Sequence, residues 1–471
     1  MSTNTKLTGE RLRLGGLVGT RKFYRKVLLV AVPIMIQNGI TNFVSLLDNI
    51  MVGQVGTEQM SGVAIANQMV FIFNLCIFGA VAGAGILGAQ FYGSGQYDGV
   101  RNTFRFKLLF GLALTVIFVA IFLLAGENLI SQFIHEGESS GDLVATLRYG
   151  DAYLRVIVIG LLPFALTQGY SSTLRETGQT VVPMAAGIAA VLVNLLFNYI
   201  LIFGKFGAPA LGAVGAAIAT VLSRFVELAI VATWTHRHGK QNPFIEGALR
   251  SFRIPLPLLK QILILGMPLF VNELLWSFGI TFMNQCYSVR GLEVVAAFNI
   301  ATTIGNLFNV VFISLGNSVG ILIGQMLGAG RLEQAKKEDK QLIAFSVFCC
   351  LITGTALIAV SPFFPEIYKT EELIKGLATQ LIFITGCCHP LYGFVHATYF
   401  TLRAGGKSII TFLFDSAYMW VIPIPIVFVL ARFTLLPVQI VYLIAELSNL
   451  IKCAVGFVLV KKGVWIKNIV D

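Results

Sequence analysis

Long apolar runs alternate with short polar segments along almost the whole chain. A helix needs roughly 20 apolar residues to cross the hydrocarbon core of a bilayer. On that criterion the pattern predicts an all-α, polytopic membrane protein with twelve transmembrane helices. We expect them near residues 27–52, 59–90, 105–126, 151–172, 181–204, 212–235, 258–286, 294–327, 340–362, 376–402, 408–431 and 436–460.

The two halves of the chain repeat one another. Residues 33–95 align with residues 268–330 without a gap, at a constant spacing of 235 residues, and 15 of the 63 positions are identical. The strongest block pairs GILGAQFYGSG (85–95) with GILIGQMLGAG (320–330). A duplicated, strongly apolar chain is typical of secondary transporters, whose two halves rock around a central site.

The repeat predicts two pseudo-symmetric lobes of six helices each. Because six is an even number, both lobes insert into the membrane the same way up. A weaker echo, Thr173-Leu174-Arg175 against Thr401-Leu402-Arg403, supports the duplication. The predicted parts are a cytoplasmic tail (1–26), an N-lobe with helices 1–6 (27–235), a cytoplasmic linker (236–257), a C-lobe with helices 7–12 (258–460) and a second cytoplasmic tail (461–471).

Composition agrees with a membrane protein and argues against other classes. Charged residues make up 12% of the chain, compared with roughly 25% in soluble proteins. The net charge is +11, but no basic stripe with interleaved aromatic residues indicates a nucleic-acid partner. The seven cysteines lie in apolar stretches without zinc-site spacing, which indicates packing residues.

Lysine and arginine are concentrated in alternate connections between the predicted helices. Basic loops stay in the cytoplasm, so both termini are predicted to be cytoplasmic. The basic residues are Lys6, Arg11, Arg13, Arg21, Lys22, Arg25 and Lys26 before helix 1, Arg101, Arg105 and Lys107 after helix 2, Arg237, Lys240, Arg250, Arg253 and Lys260 after helix 6, Arg331, Lys336, Lys337 and Lys340 after helix 8, and Lys461, Lys462 and Lys467 at the C-terminus. The connection after helix 3 is acidic, with Glu127, Glu136, Glu138 and Asp142.

Two carboxylates inside the predicted helices are candidates for function. An ionisable side chain costs about 2.5–3.5 kcal/mol to insert at the centre of a span. Asp48 lies in the outer part of helix 1, and Glu273 lies in the middle of helix 7. The repeat places Met283 opposite Asp48 and Asn38 opposite Glu273, so each half keeps a different acid. Such a carboxylate can exchange a proton, or bind a cation when it is ionised.

Asn194 and Asn198 lie four residues apart, so they share one side of helix 5. Their amide oxygens can coordinate Na⁺ or accept a hydrogen bond from a protonated aspartate. Hydrogen bonding between helices is the alternative role.

Further polar residues lie in the predicted helices. Arg224 with Glu227, and Glu446 with Lys452, are predicted to form intramembrane ion pairs or to reach the helix ends. Asp415 lies towards the cytoplasmic end of helix 11, and its role stays open. His389 and His396 share a face of helix 10, which suits packing, hydrogen bonding or a proton relay.

Two prolines occupy equivalent positions of the repeat, Pro33 in helix 1 and Pro268 in helix 7. Proline removes a backbone hydrogen bond and kinks a helix. We predict that both helices are bent. Either the bend is a static packing feature, or it is a hinge that changes during transport.

The energy source is predicted to be an ion gradient. Gly406-Lys407-Ser408 is similar to the end of a phosphate-binding loop, but Thr401 stands where its first glycine should be. The segment also follows an apolar helix rather than a strand. We therefore expect neither a nucleotide site nor an enzymatic activity.

Several segments resemble those of multidrug and toxic compound extrusion (MATE) transporters, and the similarity extends over about residues 25–468. These segments are LLDNIMVG, AIANQ, GAGILGAQFYGSGQ, NYILIFGKFGAPALGAVGAAIATVLSR and TLRAGGKS. The resemblance implies a V-shaped fold of two six-helix lobes around a central cavity. It further implies export of cationic or amphipathic compounds across a bacterial plasma membrane in exchange for H⁺ or Na⁺, by a monomer without a cofactor.

The resemblance also implies roles for individual residues. Asp48 matches the essential acid of helix 1 in the family. Asn194, Asn198, Ala216 and Thr220 match positions that complete its N-lobe cation site, although some members carry a second acid at the position of Asn198. Glu273 matches the helix 7 acid of NorM-like members, which also carry a helix 10 aspartate where this chain has Tyr392. The pattern is closest to the variants common in Firmicutes.

Three functional hypotheses follow. The first is the cation-coupled exporter, in which Asp48 takes up the coupling ion and Glu273 attracts a cationic substrate. The second is a flippase for lipid-linked precursors from the same superfamily, which usually needs a strongly basic cavity. The third is a receptor or channel, which does not explain the unequal acids.

Overall fold

The apolar runs form long helices because a backbone inside lipid must satisfy its hydrogen bonds within its own segment. The computed structural model describes residues 16–133 and 143–471. Within these residues, twelve helical stretches are long and apolar enough to cross a membrane, which confirms the predicted number of spans. The helices are α1 (Arg21–Gly53), α2 (Thr57–Gly93), α3 (Tyr97–Phe133), α4 (Leu143–Glu176), α5 (Val181–Phe203), α6 (Gly212–Arg237), α7 (Leu256–Ser288), α8 (Leu292–Gly328), α9 (Leu332–Val360), α10 (Glu372–Ala404), α11 (Ser408–Phe412), α12 (Tyr418–Val421), α13 (Pro423–Phe433), α14 (Val438–Leu447) and α15 (Asn449–Lys461).

The last two spans are interrupted. The eleventh runs through α11, a wider π-helical turn at Leu413–Ala417, α12 and α13. The twelfth consists of α14 and α15, which are separated at Ser448. The apolar pattern predicts continuous helices here because hydropathy does not record a local change of helical pitch.

Several helices begin earlier or end later than predicted, since hydropathy detects only their apolar parts. α3 begins at Tyr97 rather than near 105, and α9 at Leu332 rather than near 340. The assignment of many charged residues to tails and loops is therefore wrong. The residues found in helices instead are Arg21, Lys22, Arg25, Lys26, Arg101, Arg105, Lys107, Glu127, Arg237, Lys260, Lys336, Lys337, Lys340 and Lys461. Lys6, Arg11, Arg13, Glu136, Glu138 and Asp142 lie outside the described residues.

The polar connection between α6 and α7 is folded against α3. Its Phe244, in a short 3-10 turn, is 1% exposed. Arg105 donates from Nε to the carbonyl oxygen of Ala248 and from Nη2 to that of Gly247, both at 2.8 Å. Arg101 donates from Nε to the carbonyl oxygen of Phe244 at 3.3 Å. These two arginines therefore hold the connection in place.

The chain divides into two compact units whose boundaries fall inside helices. One contains the described residues up to Met35 together with Ala89–Gly95 and Val271–Asp471, and the other contains Ile36–Gly88 and Gln96–Phe270. One unit therefore ends and the other begins within α1 after Met35, and again within α7 after Phe270. These points lie two residues after Pro33 and Pro268 and are 235 residues apart, as the repeat requires.

Each unit has its own apolar core. In the unit that contains most of the first half, Phe73, Ile77 and Leu161 are at most 1% exposed. In the other, Val319, Leu402 and Trp465 are at most 1% exposed. Trp465 belongs to the segment predicted as a tail, so this part of the tail packs into the core. Gln90 fixes the C-terminal segment through its side-chain amide. It donates from Nε2 to the Ala404 carbonyl oxygen at 2.8 Å and accepts at Oε1 from the Ile469 amide at 2.9 Å.

Candidate cation and substrate sites

The carboxylate of Asp48 faces two amide side chains within one unit. Asn198 donates from Nδ2 to Asp48 Oδ1 at 2.6 Å and to Asn194 Oδ1 at 3.2 Å. Asn194 donates from Nδ2 to Thr220 Oγ1 at 3.3 Å. The structure thus brings four of the five predicted cation-site residues into one hydrogen-bonded chain across α1, α5 and α6. Their role in coupling stays a prediction.

The four-residue spacing on α5 explains why both amides reach the same place. Asn194 is 5% exposed and Asn198 is 1% exposed, whereas Asp48 is half-buried. Ala216, the fifth predicted residue, is buried on α6 in the apolar cluster that contains Val63. It adds no polar group to the site, so the polar chemistry comes from the other four side chains.

The Asn194 amide can present either its nitrogen or its oxygen to Asp48. Turning the Asn194 amide by half a rotation places its Nδ2 3.0 Å from Asp48 Oδ1. Asn198 Oδ1 is buried and accepts no hydrogen bond from any described residue. The site therefore stabilises an ionised Asp48 through amide donors and keeps a spare buried carbonyl oxygen. A proton can bind to Asp48, and a small cation can be held by the carboxylate and amide oxygens.

Glu273 occupies the other unit, on α7, and is half-buried. It interacts electrostatically with Arg403 and with Asp415. Its neighbour Asn272 donates from Nδ2 to Asp415 Oδ2 at 3.1 Å, and Ser416 donates from Oγ to the Asn272 carbonyl oxygen at 2.7 Å. α7 is thereby fastened to the π-helical turn directly beside Glu273.

The predicted pairing of Glu446 with Lys452 is wrong. Lys452 Nζ instead lies 2.7 Å from Asp415 Oδ1. Glu446 Oε2 accepts a hydrogen bond from the Tyr392 hydroxyl at 2.5 Å and from Asn449 Nδ2 at 3.3 Å. Glu446 and Lys452 are six residues apart on the twelfth span, whereas side chains that meet on one helix are three or four residues apart.

Arg224 and Glu227 belong to a wider network than the predicted pair. The Arg224 guanidinium lies over the Phe164 ring, 4.7 Å from its centroid. Glu227 interacts electrostatically with Arg175 as well as with Arg224. Arg175 in turn donates from Nη2 to Gln37 Oε1 on α1 at 3.3 Å.

The two histidines of α10 pack against one phenylalanine. The Phe312 ring centroid lies 5.5 Å from that of His389 and 4.3 Å from that of His396. His389 is fully buried, and neither of its ring nitrogens bonds to a side chain in the described residues. This geometry favours the packing interpretation over a proton relay.

Comparison with known proteins decides the family. The MatE family model matches residues 33–200 and 268–429, which is most of the chain and includes both copies of the repeat. The chain belongs to the MatE family. The resemblance noted in the sequence is thereby confirmed.

Individual relatives of this MatE protein are similar over almost their whole length. A probable multidrug resistance protein of Bacillus subtilis, YoeA, is 25% identical over 428 residues, which cover 88% of each chain. The structure of a mutant of the Vibrio cholerae MATE transporter VcmN superposes with a TM-score of 0.84 at 17% identity, covering 94% of this chain and 97% of that one.

A MOP superfamily transporter of Pyrococcus furiosus has the same fold, with a TM-score of 0.83 at 21% identity and coverage of 95% and 96%. Its structure is described as having a binding pocket of reverse polarity that suggests a different function.

Two buried polar contacts near helix ends, one in each half, were not predicted from the sequence. Lys107 Nζ lies 2.6 Å from Glu176 Oε2 and donates to Thr173 Oγ1 at 3.1 Å. In the other half, Thr401 donates from Oγ1 to Asp339 Oδ1 at 2.5 Å. The repeat marks both positions, because Thr173 and Thr401 are the first residues of the Thr-Leu-Arg echo of this MatE protein.

Proposed function

We propose that this protein is a cation-coupled antiporter, which exports cationic or amphipathic organic compounds across a bacterial plasma membrane by alternating access. The Asp48 site carries the proposal. A carboxylate that faces amide donors within a membrane-spanning protein changes its charge when it binds H⁺ or Na⁺. The names of relatives such as YoeA, a probable multidrug resistance protein, support drug export.

Binding of the ion is proposed to drive bending of α1. Asp48 and Pro33 lie 15 residues apart on this helix, which is about 22 Å at 1.5 Å per residue. Neutralising Asp48 weakens its hydrogen bond with Asn198, because charge-assisted bonds are roughly twice as strong as neutral ones. The helix is then released to bend at Pro33, and α7 has the equivalent proline at Pro268.

A cationic cargo is proposed because two basic residues in the spans of the second half, Lys452 and Arg403, each lie near an acid. Lys452 is paired with Asp415, and Arg403 faces Glu273. A flippase for lipid pyrophosphates would need uncompensated basic groups instead. We further propose that both termini are cytoplasmic, on the basis of the distribution of lysine and arginine.

The deciding experiment is efflux of the cationic dye ethidium from proteoliposomes. One sample receives an imposed pH gradient, a second an imposed Na⁺ gradient and a third neither. Efflux that follows one gradient identifies an antiporter and its coupling ion. If correctly folded protein shows no efflux under either gradient but moves a fluorescent lipid between leaflets, the flippase is the better description.

A further inference from the structure

The ammonium group of Lys452 lies in a cage formed by one acid and two aromatic rings. Nζ lies 2.7 Å from Asp415 Oδ1, 5.3 Å from the centroid of the Phe414 ring and 5.5 Å from that of Tyr418. A carboxylate next to aromatic faces is the chemistry that recognises organic ammonium ions. Phe414, Asp415 and Tyr418 are called the cage below.

Two of the three cage residues, Asp415 and Tyr418, make hydrogen bonds that do not involve Lys452. The three residues of the cage lie in or directly after the π-helical turn Leu413–Ala417. Asn272 of α7 holds Asp415 through the 3.1 Å bond to Oδ2. The Tyr418 hydroxyl donates to the Ser448 carbonyl oxygen at 2.5 Å, which fixes its ring against the break between α14 and α15. Removing the lysine side chain therefore leaves these fixing contacts in place.

Lys452 itself reaches the cage on a flexible four-carbon chain from α15. The Asp415 side chain is 22% exposed and that of Lys452 is 9% exposed, so part of the Asp415 side chain stays accessible beside the ion pair. A buried ion pair gives little net stability, because desolvation of the two charges offsets their attraction. The ion pair by itself is therefore weak evidence for a purely structural role of Lys452.

The described part of the first half has no corresponding cage. At the 228-residue spacing of the Thr-Leu-Arg echo, Arg224 corresponds to Lys452 and Gly187 to Asp415. Arg224 stacks on Phe164, and its Nη1 makes no hydrogen bond to any residue that the structure describes. The acid of the cage is therefore specific to the second half of a duplicated protein.

We infer that the cage is a binding site for the positively charged nitrogen of an organic cation, and that Lys452 is a tethered occupant which this cation displaces. The inference rests on the proposed function for the class of cargo. It makes Lys452 a specificity-determining residue, since a ligand binds only if it interacts with Asp415 better than the lysine does.

The test is equilibrium binding of ethidium, followed by its fluorescence, to purified full-length protein in detergent. Lys452→Gln removes the competing charge and is expected to tighten binding about tenfold, which corresponds to 1.4 kcal/mol. Lys452→Arg keeps a competing charge and should bind like the wild type. Asp415→Asn should weaken binding at least tenfold. If Lys452→Gln is folded and binds ethidium no more tightly than the wild type, the inference is overturned.

A second variant covers the case in which Lys452→Gln does not fold. Phe414→Leu keeps the ion pair but removes one ring, and we expect several-fold weaker binding; unchanged affinity overturns the inference. Measuring efflux as well distinguishes failure of the cage from failure of the proposed function. If the wild type shows gradient-driven efflux but none of the variants changes the ethidium affinity, only the cage is disproved. If the variants change the affinity but the wild type shows no gradient-driven efflux, only the antiporter is disproved.

Discussion

Gly93 lies directly against the backbone of Gln325, and Gly328 lies in the same way against the backbone of Gln90. A Cβ on Gly93 would stand 2.0 Å from the Gln325 carbonyl oxygen, and a Cβ on Gly328 would stand 1.9 Å from that of Gln90. The 235-residue spacing converts one contact into the other. The strongest block of the sequence repeat therefore records a close crossing between the ends of α2 and α8, where only glycine fits.

This crossing predicts that Gly328→Ala is strongly destabilising. Its methyl group would overlap a backbone atom, and overpacking typically costs about 1–3 kcal/mol or more. Gly305→Ala is the matched control on the same helix, because a Cβ added at Gly305 would meet nothing within 4 Å. Thermal unfolding in detergent should show a clearly lower Tm for Gly328→Ala only. Equal Tm values for the two variants would contradict the crossing.

Asp48→Asn should abolish gradient-driven efflux of ethidium while the protein still inserts and folds. The amide has the same shape as the carboxylate, but it cannot take up a proton or bind a cation through charge. Asp151→Asn is the control, because Asp151 forms a 2.6 Å pair with Arg155, which is mostly exposed on α4. Efflux by Asp48→Asn at the wild-type rate would refute the proposed role of Asp48.

Asn198→Asp should make the protein more dependent on Na⁺. The new carboxylate would stand where an amide now donates to Asp48 at 2.6 Å, and two adjacent carboxylates repel unless a cation lies between them. The measurement is the Tm in NaCl compared with KCl at the same concentration. We expect added Na⁺ to raise the Tm of Asn198→Asp more than that of Asn198→Ala. An equal effect on both would show that Na⁺ does not bind at this position.

The buried pair of Lys107 and Glu176 should be needed for stability. Lys107→Met leaves a buried carboxylate without its cation, and such a change typically costs about 3–5 kcal/mol. Adding Glu176→Gln should restore part of the loss, because the unpaired charge is then removed. Chemical unfolding of the two single variants and the double variant measures this coupling, and strictly additive losses would argue against it.

Pro33→Ala should slow efflux without weakening ethidium binding. Alanine restores a helical hydrogen-bond donor in α1 and so opposes bending at that point. Pro163→Ala is the control, since Pro163 also lies inside a helix but α4 stays within one compact unit. A normal efflux rate for Pro33→Ala would indicate that the kink is a static packing feature.

The residues of the Asp48 site can be named from the sequence. A four-residue spacing on a helix fixes the common direction of Asn194 and Asn198. The resemblance to a family then connects them with Asp48 and Thr220. The structure adds the bonds between them and the Asn198 carbonyl oxygen, which accepts no hydrogen bond from the residues described.

The partners of charged side chains cannot be predicted in the same way. The sequence pairs Lys452 with Glu446 on the same span, but its partner Asp415 is 37 residues earlier in the chain. Glu446 and Lys452 are six residues apart, outside the three- or four-residue spacing at which side chains of one helix meet. Which residue of another span pairs with Lys452 depends on helix packing, and a spacing along the chain does not give it.

The sequence by itself determined twelve apolar spans, the duplication and the intramembrane acids, because each follows from local composition or from a fixed spacing along the chain. Tertiary structure alone decided that Lys452 pairs with Asp415, that Arg101 and Arg105 hold the α6–α7 connection and that Trp465 enters a core. Those contacts depend on how helices rotate and pack against one another, and hydropathy does not encode the angle at which a polar side chain leaves its helix.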